Sequence, residues 1–373
     1  MNTITLSANT SWYLYNFRAS TIRRLLQEGY TVVCLSPDDG YGQKLQQELG
    51  CQWRALAMDN LGSNPLKDIG LVLRFWQYYR QLKPLVAFHF TIKNNIYGTW
   101  AARALGIPAI NNVSGLGTAF IRSGLVAKLV RLLYKASMPL AARVFCQNQE
   151  DYRLLIEQKL VPVDRLQLLP GSGVNLQHFN SQLKQPHDGV FRFLYAGRML
   201  ADKGLYELIE AVQNMNQPTI QCELWLCGFA DVQNVSAITL EELEAWGRLP
   251  GVKWMGPTDN MVDVYAQVDA AVLPSYREGM PRGLLEAGAM GLPSVTTDVP
   301  GCRNIIENGF NGLICELKNS QALQQTMQKL LDMPARDRQR LSDNARQYVQ
   351  ENFDEGLVVE AAMQVISGLV EGA

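Results

Sequence analysis

The segment most informative about the fold is Arg277-Glu-Gly-Met-Pro-Arg-Gly-Leu-Leu-Glu286, in which a Gly/Pro loop leads into an apolar helix. A helix N-terminus offers unpaired backbone N–H groups and a partial positive charge, which suits a phosphate. A second segment, Gly197-Arg-Met-Leu-Ala-Asp-Lys-Gly204, follows an apolar strand and supplies two cations, Arg198 and Lys203. Together the two segments predict a site that binds a diphosphate and hydrogen-bonds to sugar hydroxyls.

Around these segments, short apolar runs alternate with longer amphipathic ones, which is typical of βαβ units and a parallel sheet. For the first half, the strands that we predict lie at 31–36, 85–90, 109–112 and 144–147. The predicted helices there lie at 22–29, 66–82, 97–106 and 125–136. For the second half, we predict a helix at 204–212 and strands at 191–196, 221–227, 252–255, 270–274 and 294–297. The fold class is therefore α/β with doubly wound parallel sheets.

A chain of 373 residues is too long for one hydrophobic core, so two domains are expected. The polar segment 181–189 contains Pro and Gly and marks the break between them. We therefore predict Rossmann-like domains at 1–183 and 190–354, which face each other across a cleft. A last helix, at about 355–373, is expected to pack back on the first domain.

The composition, 47% hydrophobic and 18% charged, is that of a globular protein. No apolar run approaches the ~18–20 residues of a transmembrane helix, and the first residues lack the basic region of a secretory signal. The seven cysteines contain no Cys-x-x-Cys, which favours free thiols in a reducing compartment and implies no zinc site. We therefore expect a cytoplasmic protein.

The charge is unevenly distributed along the chain. Residues 1–185 carry 20 Lys and Arg against 10 Asp and Glu, whereas residues 186–373 carry 14 against 25. A basic half indicates an anionic partner. Nucleic acid is not expected because no nucleic-acid motif is present, so an anionic membrane surface or a phosphorylated acceptor fits better.

Each pair of charged residues also has a simpler interpretation. Arg198 and Lys203 are equally consistent with two surface cations at a solvated helix start. Glu278 and Glu286 would point about 80° apart on one continuous helix, and they reach one site only if Glu278 lies in the loop. The combination with the Gly/Pro loop favours the functional interpretation.

Three motifs of the second half together resemble the retaining GT-B glycosyltransferases of family 4. They are Gly197–Gly204, the Glu278-x7-Glu286 pair, and Thr297-Asp-Val-Pro-Gly-Cys-Arg-Asn-Ile-Ile-Glu-Asn-Gly-Phe-Asn-Gly312. Segments 9–18, 90–98 and 111–120 of the first half resemble the subgroup that builds O-antigen, capsule and bacterial N-glycan units on undecaprenyl diphosphate. The resemblance implies transfer of a hexose or N-acetylhexosamine from a UDP-sugar, with retention, to an undecaprenyl-diphosphate-linked saccharide.

The same resemblance implies roles for individual residues. Arg198 and Lys203 would neutralise the leaving diphosphate, Glu278 would orient the donor sugar, and these three are the expected catalytic residues. Glu286 would accept hydrogen bonds from the ribose, and Met255 would meet the base. The remaining donor-site residues are the loop and helix start, Gly279, Met280, Pro281, Arg282 and Gly283. The sequence has no Asp-x-Asp, so no metal or other cofactor is expected, because the two cations supply the charge.

On the acceptor side, the residues expected are Asn9, Thr10, Arg18, Lys93 and Asn94. Many similar enzymes place a histidine at the end of the fourth strand, where this chain has Phe90. His89 precedes it and would point to the opposite face of the sheet, so a core histidine is predicted rather than a catalytic one. Asn9-Thr-Ser11 also replaces the usual Gly-Gly loop.

A basic helix is predicted to bind the membrane. Lys128, Arg131 and Lys135 share one helical face of 125–136, and Arg122 precedes them. With this helix we expect peripheral association with the inner face of the plasma membrane. The alternatives are a helix with a solvated cationic face in a soluble GT-B enzyme that uses a small acceptor, or a non-catalytic protein that binds sugar nucleotides.

Overall fold

The computed structural model describes residues 2–59, 65–116, 125–185, 189–230 and 234–372, with backbone alone at 65–67 and 125–127. The chain divides into two compact units, and each has its own parallel sheet. The first unit comprises Met1–Ser172 with Glu355–Ala373, and the second comprises Gly173–Asp354. Arg122, expected among the basic residues, lies outside the described residues.

The first unit contains a seven-stranded sheet of order β3-β2-β1-β4-β5-β6-β7. Its strands are β1 (Thr3–Ser7), β2 (Thr31–Ser36), β3 (Gln52–Ala55), β4 (Val86–Phe90), β5 (Ala109–Val113), β6 (Arg143–Cys146) and β7 (Leu166–Leu168). Its helices are α1 (Ser11–Gln27), α2 (Tyr41–Leu49), α3 (Pro65–Leu82), α4 (Thr99–Ala104), α5 (Leu125–Ser137), α6 (Gln149–Glu157) and, at the end of the chain, α14 (Glu355–Glu371).

The second unit contains a six-stranded sheet of order β10-β9-β8-β11-β12-β13. Its strands are β8 (Phe191–Ala196), β9 (Cys222–Cys227), β10 (Val252–Gly256), β11 (Ala270–Leu273), β12 (Ser294–Thr297) and β13 (Gly312–Cys315). Its helices are α7 (Leu205–Met215), α8 (Leu240–Trp246), α9 (Met261–Tyr265), α10 (Arg282–Ala289), α11 (Cys302–Ile305), α12 (Ser320–Leu331) and α13 (Ala335–Asn352).

Helices cover both faces of the first sheet, so its strands are apolar on both sides. On one face, Ile4 and Phe88 pack with Ile366 of α14. On the other face, Val33 and Val144 pack in a separate cluster of buried side chains. Because α14 contributes to this core and contacts α1, the end of the chain belongs structurally to the first unit.

The predicted strands of both halves are present to within a residue or two, but β1, β3, β7 and β13 were not predicted. Helix α1 begins at Ser11, whereas the sequence pattern placed a helix only from residue 22. The reason is that its first turns carry four half-buried aromatic residues, Trp12, Tyr13, Tyr15 and Phe17, and lack a clear apolar period. Thr10 caps this helix, since its side chain accepts a hydrogen bond from the Tyr13 amide.

The polar segment expected between the domains is attached to the second unit in its described part. The Nζ of Lys184 donates to the carbonyl of Gly291 at 2.9 Å, and the amide of Gln185 donates to Ala266 at 2.8 Å. Residues 186–188 lie outside the described residues. The division between the units therefore falls at Ser172, upstream of the predicted boundary at 183.

Candidate functional site

The order of strands in the second unit brings two loops together. Strands β8 and β11 are neighbours in the sheet, but the chain runs from β8 to one edge before it returns through β11. At such a switch point the loops after the two strands diverge and leave a crevice where ligands bind in α/β sheets. Here those loops are 197–204 and 274–281, which are the two segments that the sequence singles out.

Several contacts hold the two loops against each other. Lys203 and Glu278 form an ion pair whose side chains are 15% and 11% exposed. The amide of Tyr276 donates to the carbonyl of Asp202 at 2.9 Å. Gly204 has a φ of +73°, and a Cβ added there would lie 2.2 Å from the Pro274 carbonyl oxygen. Only glycine fits this approach, so the ion pair rests on a closely packed backbone.

Arg198 is the exposed cation of this edge. Among the described residues, no side chain pairs with its guanidinium, although its carbonyl accepts a hydrogen bond from the Tyr195 hydroxyl at 2.7 Å. Burial, with a smaller effect of Glu278, raises the pKa of Tyr195 well above its usual value. The hydroxyl therefore stays protonated and keeps the loop in place, while the charge of Arg198 is available to a ligand.

Glu286 lies one turn inside α10 and is held by two neighbours. The Nε of Arg282 donates to it at 2.7 Å, and the hydroxyl of Tyr265 donates to it at 3.2 Å. Tyr265 also donates to the carbonyl of Gly283 at 3.1 Å, so it fixes the start of α10. No sequence motif contains Tyr265, and sequence reasoning missed it because only the folded sheet brings α9 beside α10.

The loop after β12 packs against the loop that carries Glu278. Gly301 has a φ of +82°, and a Cβ added there would lie 2.7 Å from the Gly279 carbonyl oxygen and 3.0 Å from Glu278. The hydroxyl of Thr297 donates to the Ser275 carbonyl at 2.5 Å. The Thr297–Gly301 part of the third motif is thus a support for the acidic loop.

The other predicted donor residues lie along the same edge of the sheet. Met280 is half-buried, Pro281 precedes α10, and Gly283 lies where a Cβ would be 3.0 Å from the Ala196 carbonyl oxygen of β8. Met255 is half-buried near the end of β10, two strands away from β8. The structure therefore places all of them at the carboxyl end of one sheet.

The first unit has its own switch point, between β1 and β4. Asn9 and Thr10 follow β1, and Lys93 and Asn94 follow β4. Thr91, which directly follows β4, has a φ of +72°, and this value is strained for a β-branched residue. Such strain clusters at functional sites, so the unit has a second candidate site at this edge.

Lys93 and Asn94 both have partners within the protein. Lys93 forms an ion pair with Asp68 at 2.8 Å, and Tyr97 donates to the same carboxylate at 2.8 Å. Asn94 is buried and donates to the Thr91 hydroxyl at 2.9 Å. The charge of Lys93 is therefore largely neutralised within the protein.

Arg18, expected on the acceptor side, is only 2% exposed. Its Cζ lies 4.4 Å from the centre of the Phe90 ring, and its Nη2 donates to the Tyr13 hydroxyl at 2.9 Å. Phe90 ends β4, so an aromatic ring lies beneath the guanidinium at this strand end.

His89 is a core residue, as its strand position predicts. It is fully buried, with Nδ1 2.9 Å from the Asn111 amide oxygen and Nε2 2.8 Å from the Tyr79 hydroxyl. Burial lowers the pKa of His89 to about 4, although the Asn111 hydrogen bond raises it slightly. The imidazole is therefore neutral at physiological pH and is enclosed by protein.

This burial predicts a pH dependence of stability. The unfolded chain takes up a proton at His89 near pH 6.5 and the folded chain only near pH 4, so the free energy of unfolding is unaffected above pH 6.5 and decreases as the pH falls from 6.5 to 4. The expected loss is about 2 kcal/mol by pH 5. Chemical denaturation at pH 7 and pH 5 measures it. His89→Gln should remove this part of the pH dependence, whereas His178→Gln, at an exposed position, should retain it. If the free energy of unfolding changed equally with pH in the two variants, the assignment to His89 would be refuted.

All seven cysteines are buried and free, as predicted. Within the described residues, no group of three His, Cys, Asp or Glu side chains is arranged to hold a metal ion. In the same part of the chain, every helix is too short or too polar to cross a bilayer.

Comparison with known proteins identifies the family. The model for glycosyl transferases group 1 matches residues 179–348, and that for the glycosyl transferase 4-like domain matches residues 17–171. Together they span most of the chain, which belongs to the group 1 glycosyltransferases and is an enzyme of that class.

Curated relatives match along most of the chain. The N,N'-diacetylbacillosaminyl-diphospho-undecaprenol alpha-1,3-N-acetylgalactosaminyltransferase of Campylobacter jejuni is 27% identical and covers 96% of both chains. The UDP-Gal:alpha-D-GlcNAc-diphosphoundecaprenol alpha-1,3-galactosyltransferase of Escherichia coli is 25% identical over 72% of this chain and 71% of its own.

Solved structures define the architecture. The Anabaena protein HepE in complex with UDP-glucose superposes with a TM-score of 0.81, at 17% identity over 98% of this chain and 99% of its own. Sucrose-phosphate synthase from Thermosynechococcus elongatus gives a TM-score of 0.80, at 19% identity over the whole of both chains. The predicted α/β class is confirmed, and the fold is the GT-B architecture of glycosyltransferases.

Proposed function

We propose that this enzyme transfers a hexose or N-acetylhexosamine from a UDP-sugar, with retention, to an undecaprenyl-diphosphate-linked saccharide of a bacterial surface polysaccharide or glycan. The observation that carries the proposal is the Lys203–Glu278 ion pair at the switch point of the second unit. It places a cation for a diphosphate beside a carboxylate for sugar hydroxyls. The C. jejuni and E. coli relatives are named for diphospho-undecaprenol-linked acceptors, and the second also for a UDP-sugar donor.

The donor is bound by charge and by the start of α10. Arg198 is exposed and presents its positive charge to the diphosphate. Lys203 is part-buried and shares its charge with Glu278, so it contributes the remaining N–H donors of its ammonium group. The N-terminus of α10 adds partial positive charge. These groups stabilise the negative charge that grows on the departing UDP, and for this reason we propose that no metal is required.

The remaining donor contacts follow from the carboxylates. Glu286, held by Arg282 and Tyr265, presents its remaining acceptor capacity to the ribose hydroxyls. Glu278 accepts hydrogen bonds from hydroxyls of the transferred sugar, and Lys203 keeps that carboxylate oriented. Met255 packs against the base at the end of β10.

The chemistry needs a group that takes the proton of the acceptor hydroxyl. His89 is enclosed in the core with both nitrogens hydrogen-bonded. We assign the proton to a β-phosphate oxygen of the departing UDP. The anomeric C–O bond to UDP breaks, the acceptor oxygen bonds to the anomeric carbon, and its proton passes to the leaving phosphate on the same side of the sugar, which accounts for retention.

The membrane part of the proposal rests on α5. Its outward side carries Lys128, Lys135 and two leucines, Leu129 at 40% and Leu132 at 63% exposure. Exposed leucines flanked by lysines suit the interface of an anionic bilayer. A solvated cationic helix, the alternative, would not need the leucines outside.

Liposome binding tests this surface. Replacing both Lys128 and Lys135 with glutamine should weaken binding to anionic vesicles by about 2 kcal/mol, roughly thirtyfold at low salt. Leu132→Glu should weaken it as well, whereas Ile220→Glu, at 57% exposure in the second unit, is the matched control. Co-sedimentation measures the affinity. Equal binding by all variants would favour the enzyme with a soluble acceptor.

A donor and acceptor screen tests the proposed reaction. The enzyme is incubated with UDP-sugars and a pool of polyprenyl-diphosphate-linked saccharides, and the products are read by mass spectrometry. We expect one added hexose or N-acetylhexosamine and one UDP per product. Transfer to small glucosides alone would identify the soluble-acceptor enzyme, and UDP-sugar binding without turnover would identify a sugar-nucleotide-binding protein.

A further inference from the structure

The first unit contains a buried arginine without a counter-ion. Arg18 is 2% exposed, and no carboxylate lies within 4 Å of its guanidinium among the described residues. Its Nε has no hydrogen-bond acceptor in that part of the chain. The rings of Phe90 and Tyr13 offer cation–π contact only. A buried charge that is not paired is costly, so this position favours an anion.

A chain of two hydroxyl groups connects the guanidinium to the carboxyl end of the sheet. Arg18 donates to the Tyr13 hydroxyl, and Tyr13 shares a hydrogen bond of 2.9 Å with Ser114, just beyond the end of β5. Whichever hydroxyl donates to the other, one hydroxyl proton remains to donate to a third group. Both residues are half-buried, so this donor is accessible at the edge that also carries Asn9 and Thr10.

A further donor lies on the same face of the sheet. Asn112 pairs in register with Phe90, the residue beneath the guanidinium. Its amide oxygen accepts from Gln147 at 3.3 Å, but its amide nitrogen has no acceptor among the described residues. Unpaired buried N–H groups and a polarised hydroxyl are what an oxyanion needs, and within the described ranges no carboxylate pairs with Arg18.

We propose that Arg18, Tyr13 and Ser114 form an oxyanion site that binds a phosphate of the polyprenyl-diphosphate acceptor. The assignment rests on the proposed function for its ligand, but the site itself is defined by these donors. Lys93 is the less suitable cation because Asp68 already neutralises it. Arg18 is therefore a binding residue that acts through its own charge and through the hydroxyls that it polarises.

Binding is tested first, in the Arg198→Ala/Lys203→Ala background so that the second unit does not capture the probe. Inorganic pyrophosphate and farnesyl diphosphate should raise the melting temperature of this protein, and Arg18→Gln should abolish the shift. The matched control is Arg24→Gln, which removes the same charge from α1 at a side chain that is 42% exposed. If Arg18→Gln does not fold, Tyr13→Phe and Ser114→Ala decide by the same readout. Unchanged shifts in the folded variants would overturn the site.

Kinetics in the natural background then identify the source of the phosphate. Arg18→Gln should raise KM for the lipid-linked acceptor at least about tenfold and Ser114→Ala about fivefold, with KM for the UDP-sugar unchanged. With an acceptor analogue that lacks phosphate, Arg18→Gln and the natural enzyme should have the same KM for the acceptor. A higher KM of the variant with this analogue would indicate a merely structural role and overturn the proposal. If pyrophosphate binds but KM for the acceptor does not change, the site takes free phosphate and the acceptor assignment is wrong. If the natural enzyme transfers to no polyprenyl acceptor, the proposed function fails, while an Arg18-dependent pyrophosphate shift still supports an oxyanion site.

Discussion

Glu278→Gln is expected to lower kcat by about two to three orders of magnitude, the effect of removing one preorganised electrostatic contact from an active site. The substitution keeps the shape of the side chain but removes the charge that pairs with Lys203. A neutral amide also presents one acceptor oxygen where the carboxylate presents two. The donor sugar therefore loses its orientation, and Lys203 loses the partner that positions it.

The fold should tolerate this change, because Glu278 lies in a loop and glutamine keeps the shape of its side chain, although that side chain is only 11% exposed. Glu223→Gln is the matched control, since Glu223 also forms an ion pair, with Arg192 at 3.0 Å. This pair lies near the amino end of β9, whereas the donor loops follow the carboxyl ends of the strands. Steady-state kinetics and melting temperatures are measured for both variants. If Glu278→Gln stayed within threefold of Glu223→Gln in kcat, the acidic loop would not be the catalytic site.

Short apolar runs predicted most strands, because strands of a parallel sheet that is covered on both faces are apolar on both sides. Strand β1 was missed because it is not a continuous apolar run: all five residues from Thr3 to Ser7 are buried, but two of them are threonines. Short edge strands such as β7, with three residues, give too little pattern to predict. The start of the helix that follows β1 was missed because half-buried aromatic residues occupy its first turns and give no clear apolar period.

The candidate donor site was predicted as residues but not as contacts. Glu278 and Lys203 are 75 positions apart in sequence, and their ion pair depends on β8 and β11 being neighbours in the sheet. A sequence gives no order of strands, so the two charges could only be assigned separate roles. Arg18 was expected on the acceptor side, but its burial was not predicted, because it depends on contact with the Phe90 ring, which is distant in sequence.

Gly301→Ala is expected to lower kcat/KM about tenfold to a hundredfold, although Gly301 contributes no side chain to the site. The added Cβ would lie 2.7 Å from the Gly279 carbonyl oxygen and 3.0 Å from the Cβ of Glu278. Real Cβ atoms do not approach backbone so closely, so the 278–279 segment must shift. A displacement of about 1 Å at a reacting group costs on the order of 10²-fold in rate.

Gly309→Ala separates this clash from the cost of the backbone conformation. Its φ is +80°, against +82° for Gly301, but a Cβ there meets nothing within 4 Å. Both variants should lose about 1–2 kcal/mol of stability, because L-residues disfavour the left-handed region. Only Gly301→Ala should also lose activity, as measured by kcat/KM with the UDP-sugar. If both variants lost activity equally, the loss would follow from stability, and the loop after β12 would not position Glu278.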